Sequence, residues 1–343
     1  STRPPRPPRL AACRDGRGMG ARIVGTGSYL PLHAVPNCDL ENLVDTSDEW
    51  IVQRTGIRER HLLEAQELPS EMGVAASRAA LAASGDAVGD IDLVLVATTF
   101  PDMTCPGTAP FVAAALGTGD APFFDLTAGC TGFVYGLAVA EGFLASGLAE
   151  CVLLIGSEAL SRVTDWNDRR TCVLFGDGAG AVVLRRGSEG SGLLGVSVHG
   201  DPEKALLLHM PAGGTRLPAS HDTVDARLHY LKMEGSGVFR SAVPLMERAL
   251  ERALGKAGVA LDDVDWVIPH QANLRIIDAL ARRLAIPRDR VLANLDRVAN
   301  TSSASIPIAL DEAVRRGQIR PGDVVAMTAF GAGVTYGAAI VRM

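Results

Sequence analysis

The stretch Asp125-Leu126-Thr127-Ala128-Gly129-Cys130-Thr131-Gly132-Phe133 decides the fold, because a strand turns into a helix within it. The preceding run, 121–124, is short and apolar and predicts a buried strand. The following run, 134–146, is rich in Ala, Leu and Gly and carries one charge, Glu141, so it predicts a central buried helix. Cys130 then lies at the N-terminus of that helix, where the aligned peptide dipoles favour the thiolate over the thiol.

Cys130 has two interpretations at this point. In the first it is a small buried apolar residue, as most cysteines in such positions are. In the second it is a nucleophile, since Gly129 and Gly132 keep side chains off the backbone on both sides and allow a substrate to approach closely. The other loops of the chain must decide between them.

The composition is that of a globular protein with two domains or one large double unit, with 343 residues of which 47% are hydrophobic. Residues 1–20 hold five Arg and one Asp, so the net charge of −6 divides into +4 there and −10 in the remainder. An acidic body argues against a general nucleic-acid binder.

The six cysteines, at positions 13, 38, 105, 130, 151 and 172, show no paired spacing and predict reduced thiols in a cytoplasmic protein. We find no apolar run of membrane-spanning length and no signal-peptide centre in 1–20, so no membrane partner is expected.

The domain organisation follows from a repeat. Residues 1–20 are rich in Pro and Arg and predict a disordered N-terminal extension. Beyond them, the segment 90–95 matches 263–268, and 176–185 matches 333–342, at offsets of 173 and 157 residues. Strands alternate with helices around both copies, which predicts two duplicated α/β units, 21–190 and 191–343, packed together.

Three loops of this arrangement carry unusual chemistry. Cys130 is in the first, His270 directly follows the predicted strand 266–268, and Asn300 follows the predicted strand 291–293. Taken singly, His270 is interpreted as an ordinary hydrogen-bonded residue and Asn300 as a turn or cap residue. Taken together on strand ends, the thiol, imidazole and amide provide a nucleophile, a donor or base, and an oxyanion partner.

Six sequence motifs, taken in their order along the chain, are together specific enough to indicate a family. They are Asp48-Glu49-Trp50-Ile51, Thr55-Gly56-Ile57-Arg58, Gly129-Cys130-Thr131-Gly132-Phe133, Phe175-Gly176-Asp177-Gly178-Ala179-Gly180, Pro269-His270-Gln271-Ala272-Asn273 and the glycine-rich run 330–333. With these motifs the chain resembles a β-ketoacyl-acyl-carrier-protein synthase III from about residue 21 to 343. The resemblance implies a thiolase-like fold, an α/β structure in which the two halves form αβαβα layers.

The resemblance also implies a reaction. Cys130 would take a short acyl group from acyl-CoA, with the backbone amides of Cys130 and Ala332 holding the oxyanion. His270 and Asn300 would donate hydrogen bonds to the enolate formed when malonyl carrier protein loses carbon dioxide. The enolate would attack the acylated Cys130 and give a 3-oxoacyl carrier protein, in fatty acid or aromatic polyketide biosynthesis. His270 would work best here as a neutral donor, so its pKa should not be raised.

Binding residues are implied in the same way. Trp50 and Arg169 would sandwich the CoA adenine, with Thr46 and Arg54 nearby and Asn273 on the pantetheine. The residues expected to dock an acidic carrier protein are Arg240, Arg275, Arg282 and Arg283, of which Arg275 and Arg282 share a helix face. The resemblance further implies a homodimer, with CoA thioester as a substrate and with no cofactor or metal.

Two departures affect the substrate. Cys105 stands where many family members have an aromatic residue that reaches the primer pocket of the neighbouring subunit, and Ala332 replaces a glycine. Both favour a primer beyond strict acetyl, including short linear or branched acyl groups. Two alternative functions stay open: an acyltransferase or thioesterase of the same fold that makes no carbon–carbon bond, and a non-catalytic partner subunit.

Overall fold

Strands and helices alternate in the computed structural model, which describes residues 20–187 and 190–343. The elements before the gap are β1 (Ala21–Tyr29), β2 (His33–Pro36), α1 (Asn37–Leu40), α2 (Asp48–Thr55), β3 (Glu59–Leu62), α3 (Pro69–Ser84), β4 (Leu93–Ala97), α4 (Ala109–Leu116), β5 (Phe123–Leu126), α5 (Gly132–Ser146), β6 (Cys151–Ala159) and β7 (Asp177–Arg186). Those after it are β8 (Gly192–Gly200), β9 (Leu208–His209), α6 (His221–Asp225), β10 (Lys232–Met233), α7 (Gly235–Ala257), β11 (Trp266–Pro269), α8 (Leu274–Arg283), α9 (Leu295–Val298), α10 (Ser305–Arg315), β12 (Val324–Gly331) and β13 (Thr335–Arg342).

Two sheets with the same strand order form the core. The first runs β1-β7-β6-β4-β5, and the second runs β8-β13-β12-β11. The pairs β6-β4 and β4-β5 of the first sheet and β12-β11 of the second are parallel, and the other pairs in both sheets are antiparallel. In the second sheet, a single parallel bridge between Val267 and Val291 occupies the position that β5 has in the first sheet. The chain is therefore a duplicated α/β structure.

The helices complete five layers. On the first sheet, α3 packs outside against β1, β6 and β7, and on the second sheet α7 packs outside against β8, β12 and β13. Between the sheets lie α5, which contacts strands of both, and α10, which contacts β1, β7 and β11. The order is thus the layered αβαβα arrangement of the thiolase fold.

Strand burial explains why the functional loops meet. All residues of β4 and β6 are buried, because helices cover both faces of their sheet. In such a sheet, loops at the carboxyl ends of adjacent parallel strands lie side by side. The loop after β5 and the loops after β11 and α9 converge in this way on the space between the two halves.

Three predicted elements differ in the structure. The sequence Gly27-Ser28-Tyr29-Leu30-Pro31 predicts a turn, but Gly27–Tyr29 belong to β1 because they pair with Ala179–Ala181 of β7. The strand predicted as buried near 121–124 is β5, an edge strand on which Phe123 and Phe124 are exposed. The strand predicted at 291–293 is reduced to the single bridge of Val291, since the chain then turns into α9.

The expectation that no apolar run reaches membrane-spanning length was wrong. The segment Gly129–Ser146 has the length and composition of such a span. It comprises α5 and the turn before it, and more than half of it is buried between the two sheets. The segment is a core helix, made apolar by contacts on all sides.

Two predictions on domain limits remain predictions. The extension expected at 1–20 lies outside the described residues except for Gly20. The expected boundary between 190 and 191 falls between the end of β7 at Arg186 and the start of β8 at Gly192.

Candidate active site

One cavity of about 580 Å³ brings together the three residues predicted to carry chemistry. Cys130 reaches it from the 3₁₀ turn that precedes α5, His270 from the end of β11, and Asn300 from the segment between α9 and α10. All three side chains are buried, with relative exposures of 8%, 3% and 6%. A thiol, an imidazole and an amide therefore face the same enclosed space.

Backbone amides approach the Cys130 thiol because glycines stand on both contacting segments. Gly129 has φ +55°, and a Cβ on it would lie 2.7 Å from the amide nitrogen of Ala332. A Cβ on Gly331 would lie 2.6 Å from the amide nitrogen of Cys130. Both contacts are closer than any side chain permits, so the two glycines allow the Cys130 and Ala332 segments to touch.

The prediction that the helix N-terminus keeps Cys130 mainly as a thiolate was wrong. Burial raises the pKa of Cys130 to about 12 and is the largest influence on it. A hydrogen bond with Ser302 and the backbone amide of Cys130 act in the opposite direction, whereas the charge of Glu158 raises the pKa further. Loss of solvation thus outweighs the helix N-terminus, and the resting residue is a thiol.

His270 is neutral, as predicted. Burial lowers its pKa to about 3. Its Nδ1 lies 2.7 Å from the hydroxyl of Ser305, and that hydroxyl accepts a hydrogen bond of 3.3 Å from the Gln271 amide. Because Ser305 accepts there, its own proton can go to Nδ1, which leaves the proton of the neutral ring on Nε2. His270 then presents a donor.

The backbone holds Asn300 on both sides. Its amide nitrogen donates to Leu174 at 3.0 Å, and its carbonyl accepts from Gly176 at 3.1 Å. Its side-chain Oδ1 accepts from the amide of Ser302 at 2.9 Å, so the Nδ2 donors face away from that bond. The neighbours Ala299 and Ser302 have φ of +60° and +50°, a strained backbone typical of functional loops.

The mouth of the cavity holds most of the residues predicted to bind CoA. Arg169 Cζ lies 4.9 Å from the centre of the Trp50 ring, and Arg54 Cζ lies 5.8 Å from it. Asn273 caps α8 by accepting from Arg275 at 2.8 Å, and its Nδ2 donates to the Arg54 carbonyl at 3.1 Å. Since Trp50 and Arg169 contact each other, an adenine between them would have to separate them.

Two predicted binding residues lie away from this cavity. Thr46 is not among its lining residues, and its hydroxyl is buried without a hydrogen-bond partner within the described residues. Cys105 is exposed in the loop between β4 and α4 and does not line the cavity of its own chain. A role for Cys105 in a neighbouring subunit stays a prediction.

The four arginines predicted to dock a carrier protein divide between two places. Arg275 lines the main cavity and stacks on Phe239 at 5.7 Å, Arg282 and Arg283 line an open groove between α7 and α8, and Arg240 lines both. Arg283 is paired with Glu247 across this groove. Arg275 and Arg282 therefore line two openings that meet at Phe239 and Arg240.

Sequence reasoning missed three residues around the site. Ser305 orients His270, and Ser302 donates to the buried carboxyl group of Glu158, whose charge raises the pKa of Cys130. The signal for Glu158 was available, since it is a single acidic residue in the otherwise uncharged run that forms β6. No comparable signal marked the two serines.

No group of three or more His, Cys, Asp or Glu side chains in 20–187 and 190–343 is placed to hold a metal ion.

Comparisons with known proteins agree with this geometry. Residues 124–202 match the family model described as 3-Oxoacyl-[acyl-carrier-protein (ACP)] synthase III, and residues 254–343 match its C-terminal model. A β-ketoacyl-[acyl-carrier-protein] synthase III from Caldanaerobacter subterraneus is 48% identical over 324 residues, which cover 94% of this chain and 98% of the relative. The chain belongs to the β-ketoacyl-acyl-carrier-protein synthase III family. It is thus an acyltransferase of the condensing type.

Other members of the family support the assignment. A synthase III from Desulfitobacterium hafniense is 50% identical over 320 residues, covering 93% of this chain and 97% of the relative. The crystal structure of a synthase III from Aquifex aeolicus is 44% identical, with a TM-score of 0.87 and coverage of 94% and 100%. The priming β-ketosynthase of the R1128 polyketide pathway is 37% identical, with a TM-score of 0.84 and coverage of 96% and 98%.

Proposed function

We propose that the chain starts acyl-chain synthesis by loading a short acyl group from acyl-CoA onto Cys130 and condensing it with malonyl carrier protein. The observation that carries this proposal is the cavity that Cys130, His270 and Asn300 share. The products are a 3-oxoacyl carrier protein, carbon dioxide and CoA. The condensing activity argues against the two alternatives, a thioesterase and a non-catalytic subunit.

In the first step the Cys130 sulfur attacks the carbonyl carbon of the acyl-CoA. The bond from that carbon to the CoA sulfur breaks, and the thiol proton leaves with CoA. The amides of Cys130 and Ala332, which the glycine contacts bring together, are proposed to hold the oxyanion. Each such donor lowers the activation free energy by roughly 3 kcal/mol.

In the second step His270 Nε2 and Asn300 Nδ2 are proposed to donate to the thioester oxygen of malonyl carrier protein. They stabilise the enolate formed as the carboxylate leaves as carbon dioxide. A neutral His270 suits this role, and burial keeps it neutral. The enolate carbon then attacks the acyl carbon, and the Cys130 thiolate leaves and takes a proton from solvent. This order of steps is ping-pong.

The proposed CoA site is the mouth of the cavity. Trp50, Arg54 and Arg169 offer a ring and two planar cations for an adenine, and Asn273 retains one amide proton for the pantetheine. Thr46 lies just before α2 and would contribute from outside the lining.

The proposed docking site for the carrier protein is the groove between α7 and α8, where Arg240 and Arg282 face solvent. Arg240 also lines the main cavity, as does Arg275, and so links that groove to the cavity mouth. An acidic carrier protein bound here would lie close to the opening through which its malonyl arm enters.

We propose a homodimer formed at the edge of the first sheet. Phe123 and Phe124 are exposed on β5, which has an unpaired edge in the single chain. The loop that carries Cys105 follows β4, the strand next to β5, so a partner at this edge would receive it.

Short linear or branched acyl-CoA is proposed as the primer, because Cys105 leaves room where an aromatic side chain would fill it. The proposed setting is the cytoplasm, without a cofactor, a membrane or a nucleic acid as partner.

The test uses a panel of acetyl-, propionyl-, butyryl- and isobutyryl-CoA. Intact-mass measurement should show one acyl group on the wild-type chain, and Cys130→Ser should load at least about 1,000-fold more slowly. Malonyl carrier protein added to the acyl-enzyme should then release carbon dioxide. Acylation without carbon dioxide release would support the acyltransferase or thioesterase alternative, and acylation of Cys130→Ser at the wild-type rate would place the nucleophile elsewhere.

A further inference from the structure

Arg60 is a buried guanidinium that, within the described part of the chain, donates only to neutral oxygens. It lies in β3, its exposure is 0%, and burial lowers its pKa to about 10, which leaves it charged at neutral pH. Nη1 donates to the Val35 carbonyl (3.2 Å) and to Asn37 Oδ1 (2.9 Å), and Nη2 donates to the Val173 carbonyl (3.2 Å). Neutral acceptors compensate the lost hydration of a cation only in part, so Arg60 adds little stability for its burial.

One side of the Arg60 guanidinium is anchored where β2, α1 and α2 meet. Asn37, which accepts from Nη1, is 1% exposed and donates through Nδ2 to the Ile57 carbonyl at 2.7 Å and to Asp48 Oδ1 at 2.8 Å. Val35, the second acceptor, belongs to β2, which pairs with β3. This side of the guanidinium is thus fixed in place.

The other side of the guanidinium holds segment 173–176, which pairs with Asn300. Val173 accepts from Nη2, the next carbonyl, that of Leu174, accepts from the Asn300 amide at 3.0 Å, and the Gly176 amide donates to the Asn300 carbonyl at 3.1 Å. A Cβ on Gly176 would lie 3.2 Å from the Cβ of the arginine. The segment is therefore packed between the buried arginine and the loop that carries Asn300.

Asn300 needs such a hold because the backbone around it is strained. Ala299 and Ser302 have φ of +60° and +50°, and neither is a glycine. Residues with a side chain stay in this region only where the surrounding structure fixes their conformation. The two backbone hydrogen bonds from segment 173–176 do this for Asn300, and Arg60 fixes the segment from the other side.

We propose that Arg60 is a positioning residue for Asn300: it holds segment 173–176 against the Asn300 backbone and so orients the Nδ2 donor toward the thioester oxygen of malonyl carrier protein. Arg60 is not among the residues that line the cavity, so it acts through this segment. The inference rests on the proposed role of Asn300 in decarboxylation. It predicts that loss of Arg60 slows decarboxylation and spares the loading of Cys130, whose oxyanion donors are backbone amides.

The test compares Arg60→Met, Asn300→Ala and the double variant. Carbon dioxide release from malonyl carrier protein is measured on acyl-enzyme formed beforehand, and acyl-enzyme formation is followed by mass at saturating acyl-CoA. Arg60→Met should slow carbon dioxide release by about 10- to 100-fold, since a displacement of about 1 Å can cost about 100-fold. It should change the loading rate by less than about twofold. The double variant should release carbon dioxide no more slowly than Asn300→Ala, because Arg60 acts through that side chain.

Two results would overturn the positioning role. Losses that multiply in the double variant would show that Arg60 acts independently of Asn300, and equal losses of loading and decarboxylation in Arg60→Met would show general damage to the site. A different result tests the function on which the inference rests. An Asn300→Ala chain that releases carbon dioxide as fast as the wild type would contradict the proposed role of Asn300, and the inference would fall with it.

Arg162→Met is the matched control. Arg162 Nη2 also donates to backbone carbonyls, those of Glu64 (2.6 Å), Ala65 (3.1 Å) and Glu67 (3.2 Å), which belong to the loop after β3 and not to the pairing with Asn300. Both rates should stay within about twofold of the wild type, and a loss of carbon dioxide release equal to that of Arg60→Met would overturn the specific role.

Arg60→Lys replaces Arg60→Met should the latter fail to fold. A lysine keeps the cation, but its single ammonium cannot bond to both sides as the guanidinium fork does, so the same step should slow by a smaller factor. The rate of carbon dioxide release in Arg60→Lys, and in its double variant with Asn300→Ala, then decides by the same two criteria.

Discussion

The two halves of the molecule contain the same turn with different chemistry. In the first half Gly129 has φ +55° and opens a 3₁₀ turn that leads into α5, and in the second half Ser302 has φ +50° and opens one that leads into α10. Cys130 and Ser303 occupy the next position of each turn. Cys130 faces the cavity, whereas the Ser303 hydroxyl lies within hydrogen-bond distance of the Ala97 carbonyl (2.8 Å) and of Glu158 (2.9 Å).

This difference shows how a duplicated scaffold acquires one site instead of two. The first turn has a glycine at the strained position, and this lets the amides of Cys130 and Ala332 come together. The second turn has a serine there, whose hydroxyl donates to the buried carboxyl of Glu158. One turn carries the reacting atom, and the other follows Asn300, which lines the same cavity.

The largest expected effect is on the second reaction step, the decarboxylation, and it should leave the loading of Cys130 less affected. His270→Ala or Asn300→Ala should slow release of carbon dioxide from malonyl carrier protein by roughly 100- to 1,000-fold, the cost of one oxyanion donor. Acyl-enzyme formation, followed by mass, should suffer less because the Cys130 and Ala332 amides remain. Equal losses of both rates in Asn300→Ala would mean that the second turn organises the whole site.

A smaller effect concerns the glycine that distinguishes the turns. Gly129→Ala places a Cβ 2.7 Å from the Ala332 nitrogen and at φ +55°, so thermal unfolding should show a loss of at least about 1–2 kcal/mol. Loading should also fall, because the two amides must move apart. Gly142→Ala is the control: it lies in α5 with nothing within 4 Å of the new Cβ and should stabilise the chain by up to about 1 kcal/mol. A Gly129→Ala chain as stable and active as the wild type would refute the close-approach argument.

The smallest expected effect is on carrier-protein binding, and it is tested by comparing an exposed arginine on α8 in the second half with one on α3 in the first half. Arg282→Glu in the groove beside α7 should raise the KM for malonyl carrier protein about fivefold, or about 1 kcal/mol, and leave loading from acyl-CoA unchanged. Arg78→Glu on α3, the outer helix of the first half, is the matched exposed control. If both variants raise the KM equally, docking responds to net charge and the groove has no special part.

The sequence was most informative where one local rule governs the structure. The continuous apolar run 151–155 is typical of a buried strand and forms β6, whereas the glycines around Cys130, which predicted the close approach of a substrate, give room to the backbone of Ala332. The order of the motifs indicated the fold and the family. Cys130, His270 and Asn300 meet because equivalent strand ends of a duplicated fold converge, which the repeat made predictable.

Properties set by several distant segments together were not predictable in this way. The pKa of Cys130 depends on burial by both halves, and this outweighs the local helix N-terminus. The exposure of Phe123 follows from the position of β5 at a sheet edge, which its own residues do not reveal. The separation of Arg275 from Arg282 depends on where the loops around α8 open, although both lie on one helix.

The neutral state of His270 also links the site to the stability of the whole chain. In the unfolded chain this imidazole takes up a proton as the pH falls below its ordinary pKa of about 6.5, whereas in the folded chain it does so only near its pKa of about 3. Between these values the unfolded state binds more protons, so this residue lowers the free energy of unfolding as the pH decreases. At neutral pH neither state is protonated there, and the contribution vanishes. The burial that preserves a hydrogen-bond donor for the reaction therefore makes the fold itself sensitive to acid.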